Sequence, residues 1–421
     1  MKRKAISGVV LTLLLISVLA LAFNIQSVKA SGTIYIRADG SIDPSGAPIH
    51  RAGDLYTLTG NITSEADGIV IERNNMTLDG AGYTVQGIVS DMSMGIGVSG
   101  NNVTIKNVEI ATFGYGVFLI GSSNSVSGNT IMYSKQDGIR VISSNNNITG
   151  NQITSSNHDG IGLWGSSNYN SIACNNITAN NYNGIFLDSS SNNNIVQNNI
   201  TANGAWVSGD GIVIIASSNI SIYGNIIANN WRAGIGLWGS SNYNSIACNN
   251  ITANAQYGIE LSSSSNNVVY HNNFVNNNNQ VYIWTSPSAN YWDDGYPSGG
   301  NYWSDYNGVD TDGDGIGNTP YIINDNNQDN FPLMEPWSAP TMKSLIRTIV
   351  FWHLPKGTEN SLTSKLQNAI QSLENGQQNA AINKLNAFIN EVKAQRNKKL
   401  TNEQADMLIA EAQRIINTIQ G

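Results

Sequence analysis

A glycine followed by an apolar residue returns every 21 to 27 residues through the middle of the chain. It stands at Gly68, Gly95, Gly116, Gly138, Gly160, Gly184, Gly211, Gly234 and Gly258. An Asn column keeps the same beat at Asn107, Asn129, Asn151, Asn175, Asn198, Asn225, Asn249 and Asn272. An apolar column follows it at Ile110, Ile131, Ile153, Ile177, Ile200, Ile227, Ile251 and Phe274, and another precedes it at Ile148, Ile172, Ile195, Ile222 and Ile246. Each apolar run is short and alternates with polar residues, which is strand periodicity. Several short strands per period and no intervening helix predict an all-β right-handed parallel β-helix, one period to a coil. A leucine-rich repeat has a similar period, but its dense Leu frame is absent. Coils of a solenoid stack roughly 4.8 Å apart, so the columns become ladders. Ile then stacks on Ile inside, and Asn on Asn at a bend.

The stretch from Gly160 to Asn180 recurs letter for letter from Gly234 to Asn254. The identical positions include inward ones that no ligand reaches, so the copy reads as scaffold. Function is expected on the outer face. There Trp164 and Trp238 fall at coil corners, with Tyr169, Tyr243, Trp206 and Trp231 nearby. Such aromatics either stack on sugar rings or cover turns.

Charge divides the chain. Residues 31–338 carry 7 Lys and Arg against 23 Asp and Glu, a net of −16, while residues 339–421 carry 10 against 6, a net of +4. The break places a boundary between a β-helix domain (31–338, with an acidic exit segment over about 280–338) and a C-terminal domain (339–421). An acidic face argues against nucleic acid as a partner. The first 30 residues have the layout of a secretory signal peptide: Lys2-Arg3-Lys4, an apolar run from Val9 to Phe23, and Val28-Lys29-Ala30 before the cut. No later segment is apolar enough to span a membrane. The expected location is secreted or at the cell surface.

Cys174 and Cys248 share one coil position three coils apart, about 14 Å, which is too far for a disulfide. Lys106, Gly128, Gly150, Gln197, Gly224 and His271 hold that position elsewhere. A sharper motif is DTDGDGIGN. Asp310, Asp312 and Asp314 alternate before Gly315, as in the front half of a calcium loop, with Asn318 at position 9. Tyr321 stands where position 12 would carry Glu, so a ligand is expected from a more distant Asp or the stretch is a solvated acidic turn.

Eight sequons offer Asn61, Asn75, Asn102, Asn147, Asn176, Asn199, Asn219 and Asn250 for glycosylation, with Asn176 and Thr178 on the outer face.

IYIRADGSIDPSGAPI near the start, NNMTLDGAGYTVQG after it, the Gly-Ile coils, and NYWSDYNGVDTDGDGIGNTPYIINDNNQDNFPL resemble the NosD-like parallel β-helix family, and look like its exported archaeal branch. That resemblance implies either copper-site maturation or a tie to carbohydrate-binding proteins and sugar hydrolases. Copper favours Cys, Met and His clusters. Here His50, His158, His271 and His353 are scattered and only Met92 and Met94 are close, so copper is not expected. The tail has helical period: Leu362, Leu366, Ala369, Ile370 and Leu373 on one face, Leu385, Phe388, Ile389 and Val392 on the next, and a Thr401–Gln404 capping box opening a last helix. It resembles FIMAH/FIVAR-type helical modules, which implies attachment or spacing rather than an activity.

β-Helix enzymes work through carboxylates and Lys or Arg on one outer face. The catalytic candidates are Asp137 and Asp159 in the column before Gly, with Arg140 and His158 beside them; Asp210 shares the column. No epimerase-type DPH triplet and no polygalacturonase set is present. The expectation is an exported β-helix protein that binds polysaccharide or cell-envelope glycan without turnover. The alternatives are a polysaccharide lyase, hydrolase or epimerase, and a copper-site maturation factor. The glycan-binding candidates are Trp164, Tyr169, Trp238 and Tyr243.

Overall fold

The computed structural model describes residues 32–88, 92–204, 209–284, 288–338 and 341–420. The leader with its cleavage site, and Trp206, lie outside the described residues. Short strands wind as a parallel β-solenoid of about 10 turns, and 4 helices follow. Most coils give one strand to each of three sheets. In one coil these are Met94–Val98, Val103–Lys106 and Glu109–Ala111. Their partners one coil on are parallel and in register: Val117 beside Ile96, Val126 beside Ile105, Ile131 beside Ile110.

The chain divides into two compact units between Phe186 and Leu187. A solenoid coil touches only its neighbours, so every coil is a place where few contacts cross. The helical module falls in the second unit.

The first unit opens with two antiparallel hairpins, Ile34–Ile36 with Ile42–Asp43 and Ile49–Ala52 with Leu55–Leu58. Beyond them Ile110, Ile131, Ile153 and Ile177 form an inner ladder at 0% exposure. Burying each such side chain is worth about 1.5–3 kcal/mol. The Gly column exists because two walls of the solenoid meet there. A Cβ on Gly116 would stand 2.3 Å from Ile131 Cγ2 and 2.5 Å from the Gly138 carbonyl oxygen.

At the bend, Asn129 accepts no neighbour by chance: its backbone N–H and its side-chain amide both donate to Asn151 Oδ1 at 3.0 Å, and Asn151 repeats this on Asn175. Asn107 is not part of this ladder. It takes the left-handed turn position (φ 55) shared with Gly128, Gly150 and Cys174, and Val108 stands in the ladder, its N–H on Asn129 Oδ1. The Cys column therefore continues at Asn107, not at Lys106, which pairs with Ser127 inside a strand.

In the second unit the ladder runs Asn198, Asn225, Asn249, Asn272, Asn301. It stops on a carboxylate: Asp329 Oδ2 accepts from Asn301 N at 2.7 Å and from Trp303 Nε1 at 2.8 Å. The inner ladder stops on aromatics. Trp303, 1% exposed, stacks between Phe274 at 4.4 Å and Tyr321 at 4.3 Å. The acidic exit segment thus closes the open end of the hydrophobic core.

Four helices follow: α1 Met342–Phe351, α2 Lys356–Glu374, α3 Gln378–Gln395 and α4 Asn402–Gln420. Leu362, Leu366, Leu385, Phe388, Leu408 and Ala412 share one core. The Thr401–Gln404 box forms reciprocally, at 3.0 and 3.2 Å. No helix of the described residues is long and apolar enough to cross a membrane.

Candidate functional site

The column before each Gly is a fourth ladder. It sits in the turn that feeds the first sheet, so its side chains face the backbone of the next coil. Asp67 accepts from Met94 N at 2.7 Å, Asp137 from Asp159 N at 3.3 Å, Asp159 from Asn183 N at 3.0 Å, and Asp210 from Ala233 N at 2.8 Å. Each acid therefore satisfies a backbone donor, as Asn does at the other bend.

Two of these acids, one coil apart, meet the other catalytic candidates. His158 Nδ1 lies 2.8 Å from Asp137 Oδ1 and 3.0 Å from Asp159 Oδ2, and Arg140 Nη1 lies 3.0 Å from Asp137 Oδ2. Both aspartates have 0% exposure. The hydrogen bonds that His158 donates to Asp137 and Asp159 push it up to about 10, so the ring is an imidazolium near neutral pH. Burial, reinforced by the charge of Asp137, pushes Asp159 above the usual carboxylate range. His158 also stacks on Tyr182 at 4.8 Å.

The duplicated stretch carries an indole at its fifth residue, and the third is why the indole lies flat. A Cβ on Gly162 would stand 2.6 Å from Trp164 Nε1 and 2.8 Å from Asp137 Oδ2. On Gly236 it would stand 2.9 Å from Asp210 Oδ2 and 3.1 Å from Trp238 Cζ2. Each indole also carries a guanidinium, Arg140 over Trp164 at 4.2 Å and Arg232 over Trp238 at 4.7 Å. The same platform of Trp, Arg and buried Asp is built twice.

The two platforms differ one coil on. Phe186, two residues after its Gly, packs on Trp164 at 4.6 Å. Glu260 holds the corresponding place after Gly258, directly beside Gly236 in register. Its Oε1 meets Arg232 Nη2 and accepts from Trp284 Nε1. A cleft of about 330 Å³ opens there, lined by Arg232, Trp238, Glu260, Ser262 and Trp284. Burial, with the charge of Glu260 adding to it, pushes Asp210 up to about 7. Tyr169 and Tyr243 are 63% and 64% exposed at left-handed turn residues.

In the acidic loop the carboxylates of Asp310, Asp312 and Asp314 approach within 4.8 Å of one another. Asp310 accepts from Gly313 N at 2.6 Å and Gly315 N at 2.9 Å. Asn318 turns its amide to Asp312 at 3.3 Å, and its oxygen accepts from Thr311 Oγ1 at 2.8 Å. The loop borders a cavity of about 350 Å³ shared with Arg347, Trp352 and Met407 of the helical module. All eight sequon asparagines are exposed or half-buried. Neither cysteine forms a disulfide.

Three family models match stretches of the chain. Residues 94–251 match the right-handed β-helix region, residues 200–308 the periplasmic copper-binding protein NosD, and residues 342–417 the FIMAH domain. The fold is thus a right-handed β-helix with NosD-like sequence, followed by a FIMAH module. No curated protein matches the chain by sequence. Similar solved structures include the A-module of a mannuronan C-5 epimerase of Azotobacter vinelandii (15% identity, 56% of this chain and 77% of that one, TM-score 0.42). A periplasmic alginate epimerase (16%, 58% and 78%, 0.42) and the Dettilon tailspike protein (17%, 53% and 56%, 0.45) are others.

Proposed function

We propose that the chain is an exported β-helix protein that binds polysaccharide on its outer face and leaves it unchanged. One observation carries the second half of that reading. The acids standing where an acid–base pair would be are fully buried, and their oxygens are engaged by the next coil's N–H groups, by Arg140 and by His158. A general base must reach the proton it removes, and a buried, ion-paired carboxylate beside an imidazolium is poorly placed to do so. The exposed Trp284 indole beside the Arg232–Glu260 pair suits a sugar ring, which presents C–H on its faces and hydroxyls at its edge. A net of −16 over residues 31–338 repels uronic polymers, so neutral glycans are the better ligands. Export rests on the basic and apolar leader, and N-terminal sequencing of exported protein should begin at Ser31.

A second reading, catalysis, draws on Asp210, whose displacement to about 7 suits a general acid. One incubation separates the two. Mature protein is mixed with neutral and uronic polysaccharides, and reducing ends and unsaturated products are followed. The binder reading expects none; turnover abolished by Asp159→Asn or Asp210→Asn would replace it with an enzyme.

A further inference from the structure

Glu260 is the anomaly on the outer face. The middle position of the first-sheet strands reads Val70, Gly97, Phe118, Arg140 and Gly162 in the first unit, and Val213, Gly236, Glu260 and Tyr282 in the second. Glu260 is the single acid in these registers, and it has 0% exposure. Its Oε1 is engaged by Arg232 and Trp284, while its Oε2 is buried with no hydrogen-bond partner. A buried carboxylate oxygen without a donor has given up water and gained nothing, which native structures avoid unless something else supplies the donor. Glu260 lines a cleft whose outer wall is the exposed Trp284 side chain, so a donor from outside reaches Oε2 once that indole turns aside.

The walls specify what kind of donor. Trp238 lies flat over Gly236 under Arg232, and Trp284, 56% exposed, stands opposite with Tyr282 at 5.0 Å against its edge. Tyr282 in turn stacks on Tyr257 at 4.7 Å, extending the aromatic surface. Arg232 pairs with Glu260 and lies 3.9 Å from the buried Asp210, so the cleft presents both signs of charge rather than one. A cationic ligand would meet the guanidinium and an anionic one the carboxylate. An uncharged polyol with one apolar face meets neither obstacle. The corresponding platform at Trp164 has Phe186 packed on it and no acid in this place.

We propose that the cleft between Trp238 and Trp284 is a binding subsite for one uncharged pyranose residue, with hydroxyl groups donating to Glu260 and the ring face stacked on the Trp284 indole. This deepens, and rests on, the polysaccharide-binding reading above. The test is affinity electrophoresis of the full mature chain through gels containing mannan, β-glucan or galactan, with alginate and polygalacturonate as anionic probes. Three variants are compared at matched thermal midpoints. Trp284→Ala removes an exposed wall, Glu260→Gln keeps the shape but loses the charge, and Ser262→Trp fills the cleft without removing any of these groups. Retention by a neutral polymer should weaken on the order of tenfold or more in Trp284→Ala and Ser262→Trp, the loss expected for an aromatic anchor. It should also weaken in Glu260→Gln. Unchanged retention in all three, with the parent chain retained, would overturn the subsite and leave glycan binding standing. Retention on alginate or polygalacturonate alone would overturn the uncharged ligand. No retention of the parent chain on any polymer would overturn both.

Discussion

Replacing Asn225 by Ala is the sharpest test of how the solenoid holds itself together. Asn225 is 1% exposed, and its side chain makes five contacts with three coils. Oδ1 accepts from Asn198 N at 2.8 Å and Asn198 Nδ2 at 3.0 Å. Nδ2 donates to Ile195 O at 2.8 Å, Tyr223 O at 3.2 Å and Asn249 Oδ1 at 2.9 Å. Alanine cannot replace any of them, and Asn198 N and Ile195 O are left buried. Each buried group that loses its partner costs about 1–3 kcal/mol, so the two together cost about 2–6 kcal/mol. That is a large share of the roughly 5–15 kcal/mol that holds a domain. Asn194→Ala, one coil back at an exposed strand position, should stay within about 0.5 kcal/mol. Urea unfolding of both variants, compared by midpoint at equal slope, reads the difference. A loss below about 1 kcal/mol in Asn225→Ala would show that water can take the amide's place, and the ladder would not be the organising element of the bend.

Other expectations follow from the same geometry. Ile177→Asp should prevent folding because it buries an unpaired charge, whereas Thr178→Ala on the outer face should cost little; equal tolerance in a solubility and circular-dichroism assay would mean the register is wrong. Asp329 is raised by burial to about 7 from an unfolded value of 3.8, so its stabilising proton is fully present below 3.8 and lost as pH rises through about 7. The thermal midpoint should therefore fall from pH 5 to pH 8, and less so in Asp329→Asn; an identical fall in both would assign it elsewhere. Calcium at Asp310, Asp312 and Asp314 should raise the midpoint at millimolar concentration, and Asp312→Ala should abolish the rise. Exposed Cys174 should react with a thiol reagent in the native protein at pH 8, and Cys248, pushed up to about 12 by burial, only after unfolding. A disulfide-linked Cys174–Cys248 peptide would contradict this.

Much of the fold was legible because one letter recurs at each place where the backbone allows little choice. Gly returns where a Cβ would strike Ile or a carbonyl, and Asn where one side chain must both accept and donate. The frame slipped at Asn107 because Asn also tolerates the left-handed turn, so a turn residue passes for a ladder residue. Another polar ladder escaped notice because two letters share it. Ser156 N donates to Asn180 Oδ1, and the Asn-only continuation is Asn203, Asn230, Asn254 and Asn277. Helix α1 was missed although Met342, Leu345 and Ile349 recur at helical spacing, because the run Ile349 to Trp352 is apolar on every side and masks it. Its Thr341–Ser344 capping box was the signal available. The first candidate cluster was legible, since Asp137 and Asp159 share a column. The Glu260 cleft was not, because Arg232, Trp238, Glu260 and Trp284 come from three successive coils and form no contiguous motif. The hint lay in an acid standing at an outward strand position otherwise held by Val, Gly, Phe, Arg or Tyr.

The most direct test of the central claim is the chain length of a neutral polysaccharide recovered after prolonged contact with the mature protein, measured by size-exclusion chromatography with light scattering. Binding without chemistry predicts that the polymer is retained by the protein and returns with its original mass distribution. A shortened distribution that depends on Asp210 would contradict it.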